Sequence, residues 1–394
     1  MPRNGSERAG APADTAPLGI YVHFPFCSVR CTYCDFATVA GRDDRIETYL
    51  DALIQEIDSF QPEASGAADT IFFGGGTPSR MSASQAARVL AAIRGRFDVS
   101  DDAELTLEGN PESLTAEALS GFRSVGITRI SVGVQSFNDA VLKSVGRAHD
   151  AATAARAVGL AREAGFGEVS LDLIAGLPGE NLSSWPDTVR MAAALRPDHV
   201  SVYLLESDKD TPLGRSIRGG RTRVADDDAM ADTYEETVVA LDEAGFPLYE
   251  ISNFARDGCR SRHNLKYWSD APYAGFGLGA HGYVLGERRS NRRDLDGYLA
   301  DVAASVPPID WREPYDRDRR CEEALFLGLR VVEGVDLETL GARYEVDLLA
   351  RHAVAWERAA AAGLIVWEGS RVRLTPGGRV RSNELFAELI GDPA

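Results

Sequence analysis

Three of the five cysteines in this 394-residue chain lie in one short segment, residues 21–36. Cys27, Cys31 and Cys34 follow an apolar run with the spacing C-x3-C-x2-C. Cysteine thiolates hold the irons of a [4Fe-4S] cluster, and three of them leave the fourth iron open to the amino and carboxylate groups of a small molecule. Zinc with His23 as a fourth ligand is one alternative, and three buried thiols without a metal are another.

The elements that must position this loop alternate in type along the first half of the chain. Apolar runs predict strands and helical spacing predicts the helices between them. Such βα units form a parallel sheet with right-handed crossovers. Eight units close a standard barrel, so six units predict an α/β fold built on an incomplete one. The predicted strands are 18–23, 70–73, 104–108, 129–134, 169–174 and 199–204.

Glycines and polar side chains recur near the ends of these predicted strands. Active sites of parallel α/β folds collect at the carboxyl ends of the strands. Taken singly, each position also fits an ordinary turn or loop, and a glycine run is often just a tight turn. Taken together they predict a polar site beside the cysteine loop, made of Gly75, Gly76, Thr77, Glu108, Gln135 and Asp172.

The cysteine spacing, with the aromatic Tyr33 directly before the third cysteine, resembles that of the radical S-adenosylmethionine (SAM) superfamily. The resemblance implies a [4Fe-4S] cluster on Cys27, Cys31 and Cys34, with SAM on the open iron. It also implies an electron donor, because the reduced cluster of these proteins splits SAM to give a 5′-deoxyadenosyl radical. The core of the superfamily is a six-unit partial barrel.

Further motifs resemble the coproporphyrinogen-dehydrogenase-like branch of that superfamily: YVHFPFC, FFGGGTPS, LEGNPES, ISVGVQSF, GRAH and DLIAGLPGE. This branch has two SAM positions. The resemblance implies one SAM near Tyr21, Gly75 and Glu108. Arginine can pair with a carboxylate, although Arg147 also fits a plain helix-end charge. The residues implied for the second SAM are Tyr33, Gly76, Thr77, Gln135, Arg147 and Asp172.

Two features separate the sequence from the dehydrogenase, which decarboxylates coproporphyrinogen III oxidatively to protoporphyrinogen IX. Phe36 stands where that enzyme has a fourth cysteine, and the segment before the first strand lacks aromatic anchors for a tetrapyrrole. The segment HNLKYW resembles the HNxxYW signature of heme chaperones in the same branch, which deliver heme to respiratory proteins. The alternative is ordinary packing of a loop. The resemblance assigns heme binding to His263, Asn264, Tyr267 and Trp268.

The chain is predicted to divide into four regions. Residues 1–16 are rich in Ala, Pro, Gly and charge and predict a disordered tail. The partial barrel is predicted over 17–245, and an extension that carries HNLKYW over 246–311. Residues 312–394 are predicted to form a small helical domain that resembles a winged helix.

Two stretches of the second half show no clear periodicity. Residues 259–291 are rich in glycine and aromatic residues and are predicted to be irregular, with His281 lining a cavity or capping a turn. Residues 312–320 are charged, follow two prolines and predict a linker. The predicted elements beyond it are helices at 321–330, 337–344 and 348–362 and a hairpin of strands 364–367 and 371–374.

Composition narrows the function classes. A net charge of −18 argues against a nucleic-acid partner, because phosphate binding needs clustered Lys and Arg. The odd, mostly clustered cysteines argue against a disulfide framework and for a reducing compartment, so a cytoplasmic location is predicted. Without a run of about 18 apolar residues, no transmembrane segment is predicted and only a transient membrane encounter is allowed. The family resemblance also allows a homodimer.

Overall fold

The computed structural model describes residues 16–61 and 66–390. Apart from Ala16, the predicted disordered tail lies outside the described residues. The core is a parallel sheet whose strands alternate with helices, which confirms the predicted partial barrel. Its six strands follow one another in chain order across the sheet: β1 (Leu18–Phe24), β2 (Ala68–Gly75), β3 (Val99–Gly109), β4 (Arg129–Gln135), β5 (Glu168–Ala175) and β6 (His199–Leu204).

Helices pack against one face of this sheet and bury the main hydrophobic core. The N-terminus of the second helix carries the capping box that the sequence predicts: Ser82 Oγ accepts from the Gln85 N–H at 3.2 Å, and Gln85 Oε1 accepts from the Ser82 N–H at 2.7 Å. Within the described ranges, no helix is both long and apolar enough to cross a bilayer. The helices up to residue 243 are α1 (Ile46–Ser59), α2 (Ala83–Arg96), α3 (Ala116–Ser124), α4 (Asp139–Ser144), α5 (Ala151–Glu163), α6 (Trp185–Ala194), α7 (Pro212–Arg218) and α8 (Asp227–Glu243).

The prediction that residues 259–291 are irregular is wrong. They contain a helix and three strands, and the first of those strands lies parallel to β1. A Cβ on Gly275 would lie 2.0 Å from the carbonyl oxygen of His281. Glycine is therefore needed for close backbone packing there rather than for flexibility. The added elements are β7 (Leu248–Glu250), β8 (Asn253–Ala255), α9 (Arg262–Trp268), β9 (Tyr273–Phe276), β10 (His281–Val284), β11 (Glu287–Asn291) and α10 (Leu295–Ala303).

The predicted linker at 312–320 is also wrong. Strand β12 (Ile309–Pro314) pairs with β11 at the edge of the large sheet, and α11 (Arg317–Gly328) begins directly after an Asp316 cap. Charged side chains are common on edge strands, where they discourage pairing with other chains. The complete sheet has the order β12-β11-β10-β9-β1-β2-β3-β4-β5-β6-β8-β7 within the described residues.

A second hydrophobic core begins at Cys321 and belongs to a small C-terminal helical domain. The predicted helix 348–362 is interrupted at His352, whose backbone is not helical. Asp270 accepts from Tyr283 at 2.7 Å and from Tyr344, which ties this domain to the barrel. The elements after α11 are β13 (Val335–Asp336), α12 (Leu337–Tyr344), α13 (Leu348–Arg351), α14 (Ala353–Ala361), β14 (Ile365–Glu368), β15 (Arg371–Leu374), α15 (Pro376–Val380) and α16 (Ser382–Ile390).

Candidate functional site

A cavity of about 450 Å³ opens on the face of the sheet opposite the packed helices. Side chains alternate between the faces of a strand, so every second residue of the parallel strands points into it. The interior face is polar, whereas a standard barrel interior is filled by branched apolar side chains. The strand residues that line the cavity are Tyr21, His23, Phe72, Gly75, Thr106, Glu108, Arg129, Ser131, Ser170, Asp172, His199, Ser201 and Tyr203.

The cysteine loop follows the carboxyl end of β1 and is fastened to neighbouring loops by backbone hydrogen bonds. Thr32 donates to Val145 O at 3.1 Å and accepts from Leu213 N at 2.9 Å. A two-residue parallel pairing, Phe26–Cys27 with Val39–Ala40, closes the base of the loop. Its position is therefore set by the loops after β4 and β6 as well as by β1.

Two of the three thiols have a polar neighbour that favours the thiolate. The Thr77 hydroxyl donates to Cys27 Sγ at 3.5 Å, and Arg147 Nη1 donates to Cys31 Sγ at 3.8 Å. Burial nevertheless raises the pKa of Cys27 and raises the pKa of Cys34 to about 11. These thiols are therefore protonated until a metal displaces the proton, which is the usual coupling of thiolate ligation to proton release.

The loop fits a cluster that assembles on its ligands. Across residues 16–61 and 66–390, no three His, Cys, Asp or Glu side chains are grouped as a metal site. Gly76 keeps space free beside Cys27. A Cβ on Gly76 would lie 2.5 Å from Pro25 O and 3.0 Å from Cys27 Sγ. The glycine run thus serves a close approach to the cysteine loop.

Two acidic side chains face the same buried cavity. Glu108 accepts from the Gly75 N–H at 3.2 Å, and both carboxylate oxygens of Asp172 accept from Ser131 Oγ, at 3.0 and 2.9 Å. Burial first, and the neighbouring Asp172 second, raise the pKa of Glu108 to about 8. Burial also raises the pKa of Asp172. Two buried carboxyl groups that resist ionisation provide a pocket for a cationic ligand, which would release their protons.

The residues predicted for a second SAM separate into two groups. Asp172 lines the cavity with Tyr21, Gly75 and Glu108, so it sits with the first predicted group. The remaining members lie around the cysteine loop, outside the cavity lining: Tyr33, Gly76, Thr77, Gln135 and Arg147.

Arg147 is an internal residue of this second group rather than a surface helix-end charge. Its Nη2 donates to Asn110 Oδ1 at 2.7 Å and to Gly133 O at 2.6 Å. Its Nε is buried without a hydrogen-bond partner. Gln135 has a φ of +66°, a conformation unusual for a non-glycine residue, at the carboxyl end of β4. An unpaired buried N–H beside a strained strand end is consistent with a ligand position.

The HNLKYW segment forms helix α9, which covers the opposite end of the barrel. Ser261 caps the helix by accepting from the Asn264 N–H at 3.2 Å. Glu104, early in β3, accepts from the N–H groups of Arg262 at 2.9 Å and His263 at 3.2 Å. A carboxylate at a helix N-terminus satisfies unpaired donors and complements the helix dipole. These contacts fix α9 across the first residues of the parallel strands.

His263 is fully buried and both of its ring nitrogens have protein partners. Nδ1 lies 2.8 Å from Thr70 Oγ1 and Nε2 lies 2.9 Å from the Tyr267 hydroxyl. The ring stacks on Phe72 with a centroid separation of 5.1 Å. Burial lowers the pKa of His263 to about 3, so its imidazole is neutral.

The other predicted heme residues face in two directions. Asn264 and Tyr267 line the cavity and close its floor. Trp268 contacts the C-terminal domain instead, with the guanidinium of Arg330 5.5 Å from its ring centroid. Helix α9 thus connects the cavity floor to that domain.

Almost the whole chain is similar in sequence to known proteins. The radical SAM superfamily model matches residues 21–192, and the HemN C-terminal domain model matches 315–381. The heme chaperone HemW of Bacillus subtilis is 35% identical over 94% of this chain and 99% of its own length. That of Mycobacterium tuberculosis H37Rv is 36% identical over 97% of each chain.

The chain belongs to the HemW family of radical SAM proteins.

A solved relative agrees with this assignment at the level of the whole structure. The coproporphyrinogen III oxidase HemN of Escherichia coli, a radical SAM enzyme, superposes with a TM-score of 0.84. The match has 25% sequence identity and covers 96% of this chain and 91% of HemN. The HemW-family chain therefore shares the barrel and the C-terminal domain with that enzyme.

The sequence pointed to only two of the four residues described next, which lie at the mouth of the cavity in this HemW-family chain. Phe36, His281 and Arg293 line the mouth beside the cysteine loop, and Tyr203 lies at the end of β6. Phe36 is 59% exposed and Tyr203 44% exposed. His281 was expected to line a cavity or cap a turn, and it lines the cavity. Arg293 and Tyr203 carry no signal in the sequence, because only the curvature of the sheet brings them to one opening.

Proposed function

We propose that this protein is a heme chaperone that binds heme at the cavity and delivers it to respiratory proteins in the cytoplasm. Its similarity to heme chaperones over nearly their full length supports this function. The observation that carries it furthest is Phe36, which follows the cysteine loop and exposes 59% of its surface at the cavity mouth. An exposed aromatic ring beside an open cavity suits a flat apolar cargo that must also leave again.

The cysteine loop would hold the [4Fe-4S] cluster through Cys27, Cys31 and Cys34. When bound and reduced by an electron donor, the cluster supplies single electrons. The chain's own contribution is positional and electrostatic. Arg147 and Thr77 stabilise negative charge on the sulfurs, and water would be displaced from the polar end of the cavity once SAM is bound.

The two proposed SAM positions use different chemistry. At the first, Tyr21, Gly75 and Glu108 surround the buried end of the cavity, where ionised Glu108 and Asp172 would meet the positive groups of SAM. At the second, the Arg147 guanidinium would pair with a carboxylate. Tyr33, Gly76, Thr77 and Gln135 complete the walls of that second position.

The HNLKYW segment is proposed to form the heme-facing floor. Asn264 and Tyr267 present polar groups to the cavity. His263 fixes the Tyr267 hydroxyl through its 2.9 Å contact. Trp268 lies behind this floor, with the Arg330 guanidinium of the C-terminal domain 5.5 Å from its ring centroid.

Heme titration tests the function. Purified protein, with and without an assembled cluster, is titrated with hemin while the Soret band is recorded. We expect saturation near one heme per chain, and a lower affinity in His263→Ala because Tyr267 loses its partner. An unchanged Soret spectrum in the wild type would contradict heme binding. Transfer is tested by mixing the loaded protein with a heme-depleted respiratory enzyme and following recovery of its activity.

The second candidate is an oxygen-independent coproporphyrinogen III dehydrogenase. It is favoured by the TM-score of 0.84 to HemN and by the buried carboxyl pair in the cavity. An anaerobic assay with coproporphyrinogen III, SAM and a reductant discriminates between the two functions. Formation of protoporphyrinogen IX would favour the enzyme. Iron analysis addresses a third possibility, a zinc module, since a cluster gives about four irons per chain.

A further inference from the structure

We propose that His281 supplies the protein ligand to the heme iron, at the mouth of the cavity. This inference rests on the proposed heme-binding function and assigns the residue that performs it. The HNxxYW segment would then shape the floor of the site, while the iron sits nearer the opening.

Four of the other five histidines are already committed to internal polar contacts. The sequence contains six histidines. In three of the other five, both ring nitrogens are hydrogen-bonded within the protein, and in a fourth the ring lies between a carbonyl and a carboxylate. An imidazole nitrogen that ligates iron must direct its lone pair at the metal, so each of these rings would first have to break a buried contact. The four are His23, His199, His263 and His149. The fifth, His352, has an Nε2 that is unpaired among the described residues, but it is buried in the C-terminal domain and does not line the cavity.

His281 differs from them in both exposure and contacts. It is exposed, it lines the cavity, and its ring makes no hydrogen bond to another residue in the part of the chain that the structure describes. Its backbone is nevertheless fixed, because it begins β10 and pairs with Ser290 of β11. The carbonyl oxygen packs so closely on Gly275 that a Cβ there would lie 2.0 Å away. A rigid backbone that presents an unengaged imidazole is the arrangement a metal ligand requires.

The charge state of His281 agrees with ligation. Partial burial, and then the nearby guanidinium groups of Arg293 and Arg288, lower the pKa of His281. The ring is therefore neutral near pH 7, which is the form that binds metals. Of these two arginines, only Arg293 lines the opening, because Arg288 is paired with Glu323.

The surrounding mouth matches the remaining chemistry of heme. Phe36 offers an exposed apolar ring for the porphyrin face. Arg293 lies at the same opening, where a guanidinium can pair with a propionate carboxylate. An imidazole, an aromatic ring and an arginine at one opening correspond to the iron, the macrocycle and the carboxylates of heme.

The test compares His281→Ala with His263→Gln in the full-length protein. Gln at 263 keeps a donor toward Tyr267, and circular dichroism confirms that each variant is folded. We expect His281→Ala to bind hemin about tenfold or more weakly, with a displaced Soret band and altered low-temperature electron paramagnetic resonance of the ferric heme. Millimolar imidazole should restore the wild-type spectrum by occupying the vacated position.

The outcomes separate this assignment from the proposed function. If the wild type takes up no heme, the proposed function itself fails. If the wild type binds heme and His281→Ala keeps its affinity and spectra, only the His281 assignment is overturned. It is equally overturned if folded His263→Gln shows the spectral loss and His281→Ala does not. Imidazole rescue confined to His281→Ala supports it.

Discussion

Replacing Glu108 by Gln tests whether the buried carboxyl pair is held protonated to receive a cation. Glutamine keeps the shape of the side chain and can still accept from the Gly75 N–H. It cannot ionise. Ionising the buried Glu108 costs the folded wild type free energy as the pH rises. Glu108→Gln removes this cost, so the cofactor-free variant should be more stable than the cofactor-free wild type at neutral pH.

The magnitude follows from the proton that Glu108 binds in the folded state. Burial and the adjacent Asp172 raise the pKa of Glu108 from 4.5 to about 8. Below 4.5 both the folded and unfolded states are protonated, so no penalty arises. Between these values the folded state binds more protons, so the free energy of unfolding of the wild type falls as pH rises. At about 1.4 kcal/mol per pH unit, the variant should gain about 3 kcal/mol at pH 7 and less than about 1 kcal/mol at pH 5.

The assay is urea denaturation of the cofactor-free wild type and Glu108→Gln from pH 5 to pH 8. Glu117→Gln, on the exposed face of α3, is the matched control and should show no such gain. A stability difference that stays constant across this range would refute the account of Glu108. In addition, SAM binding measured by calorimetry in buffers of different ionisation enthalpy should release protons in the wild type and fewer in the variant.

Two further predictions address the cysteine loop and the domain contact. Gly76→Ala places a Cβ 2.5 Å from Pro25 O, so the iron content after reconstitution should fall well below about four per chain. The control Gly95→Ala, where a Cβ meets nothing within 4 Å, should retain its iron. Full iron content in Gly76→Ala would contradict the packing argument. Tyr344→Phe removes the hydroxyl that donates to Asp270 and should weaken docking of the C-terminal domain by about 1–3 kcal/mol. The weaker docking should be measured as faster proteolysis between the domains. An unchanged cleavage rate would show that this contact does not secure the domain.

The parallel half of the fold could be predicted from the sequence because its signals are local. Apolar strands, helical spacing and the Ser82 cap each report on residues close in the chain. The strand ends then bring Glu108 and Gly75 to the lining of one cavity. The predictions for residues 259–291 and 312–320, in the second half of the chain, were wrong because the structure there depends on packing between distant residues. Gly275 belongs to a glycine-rich stretch that predicts irregular structure, but it lies in a strand that packs against the backbone of His281.

The interior of the site was less predictable for the same reason. HNLKYW stands out as a motif, but nothing in the sequence shows that the hydroxyl of Thr70, 193 residues away, is hydrogen-bonded to His263 Nδ1. Arg147 fits a surface charge until the chain brings Cys31 and Gly133 to its guanidinium. The heme role of the HNLKYW residues therefore stays a prediction, while their positions in the floor and at the domain contact come from the structure.

The most direct test of the account is heme transfer measured beside porphyrinogen oxidation in one cluster-loaded preparation. The heme-loaded protein is mixed with a heme-depleted respiratory enzyme, and the same preparation receives coproporphyrinogen III with SAM and a reductant under anaerobic conditions. The account predicts that the respiratory enzyme regains activity while coproporphyrinogen III is left unchanged. Formation of protoporphyrinogen IX without any transfer of heme would contradict it.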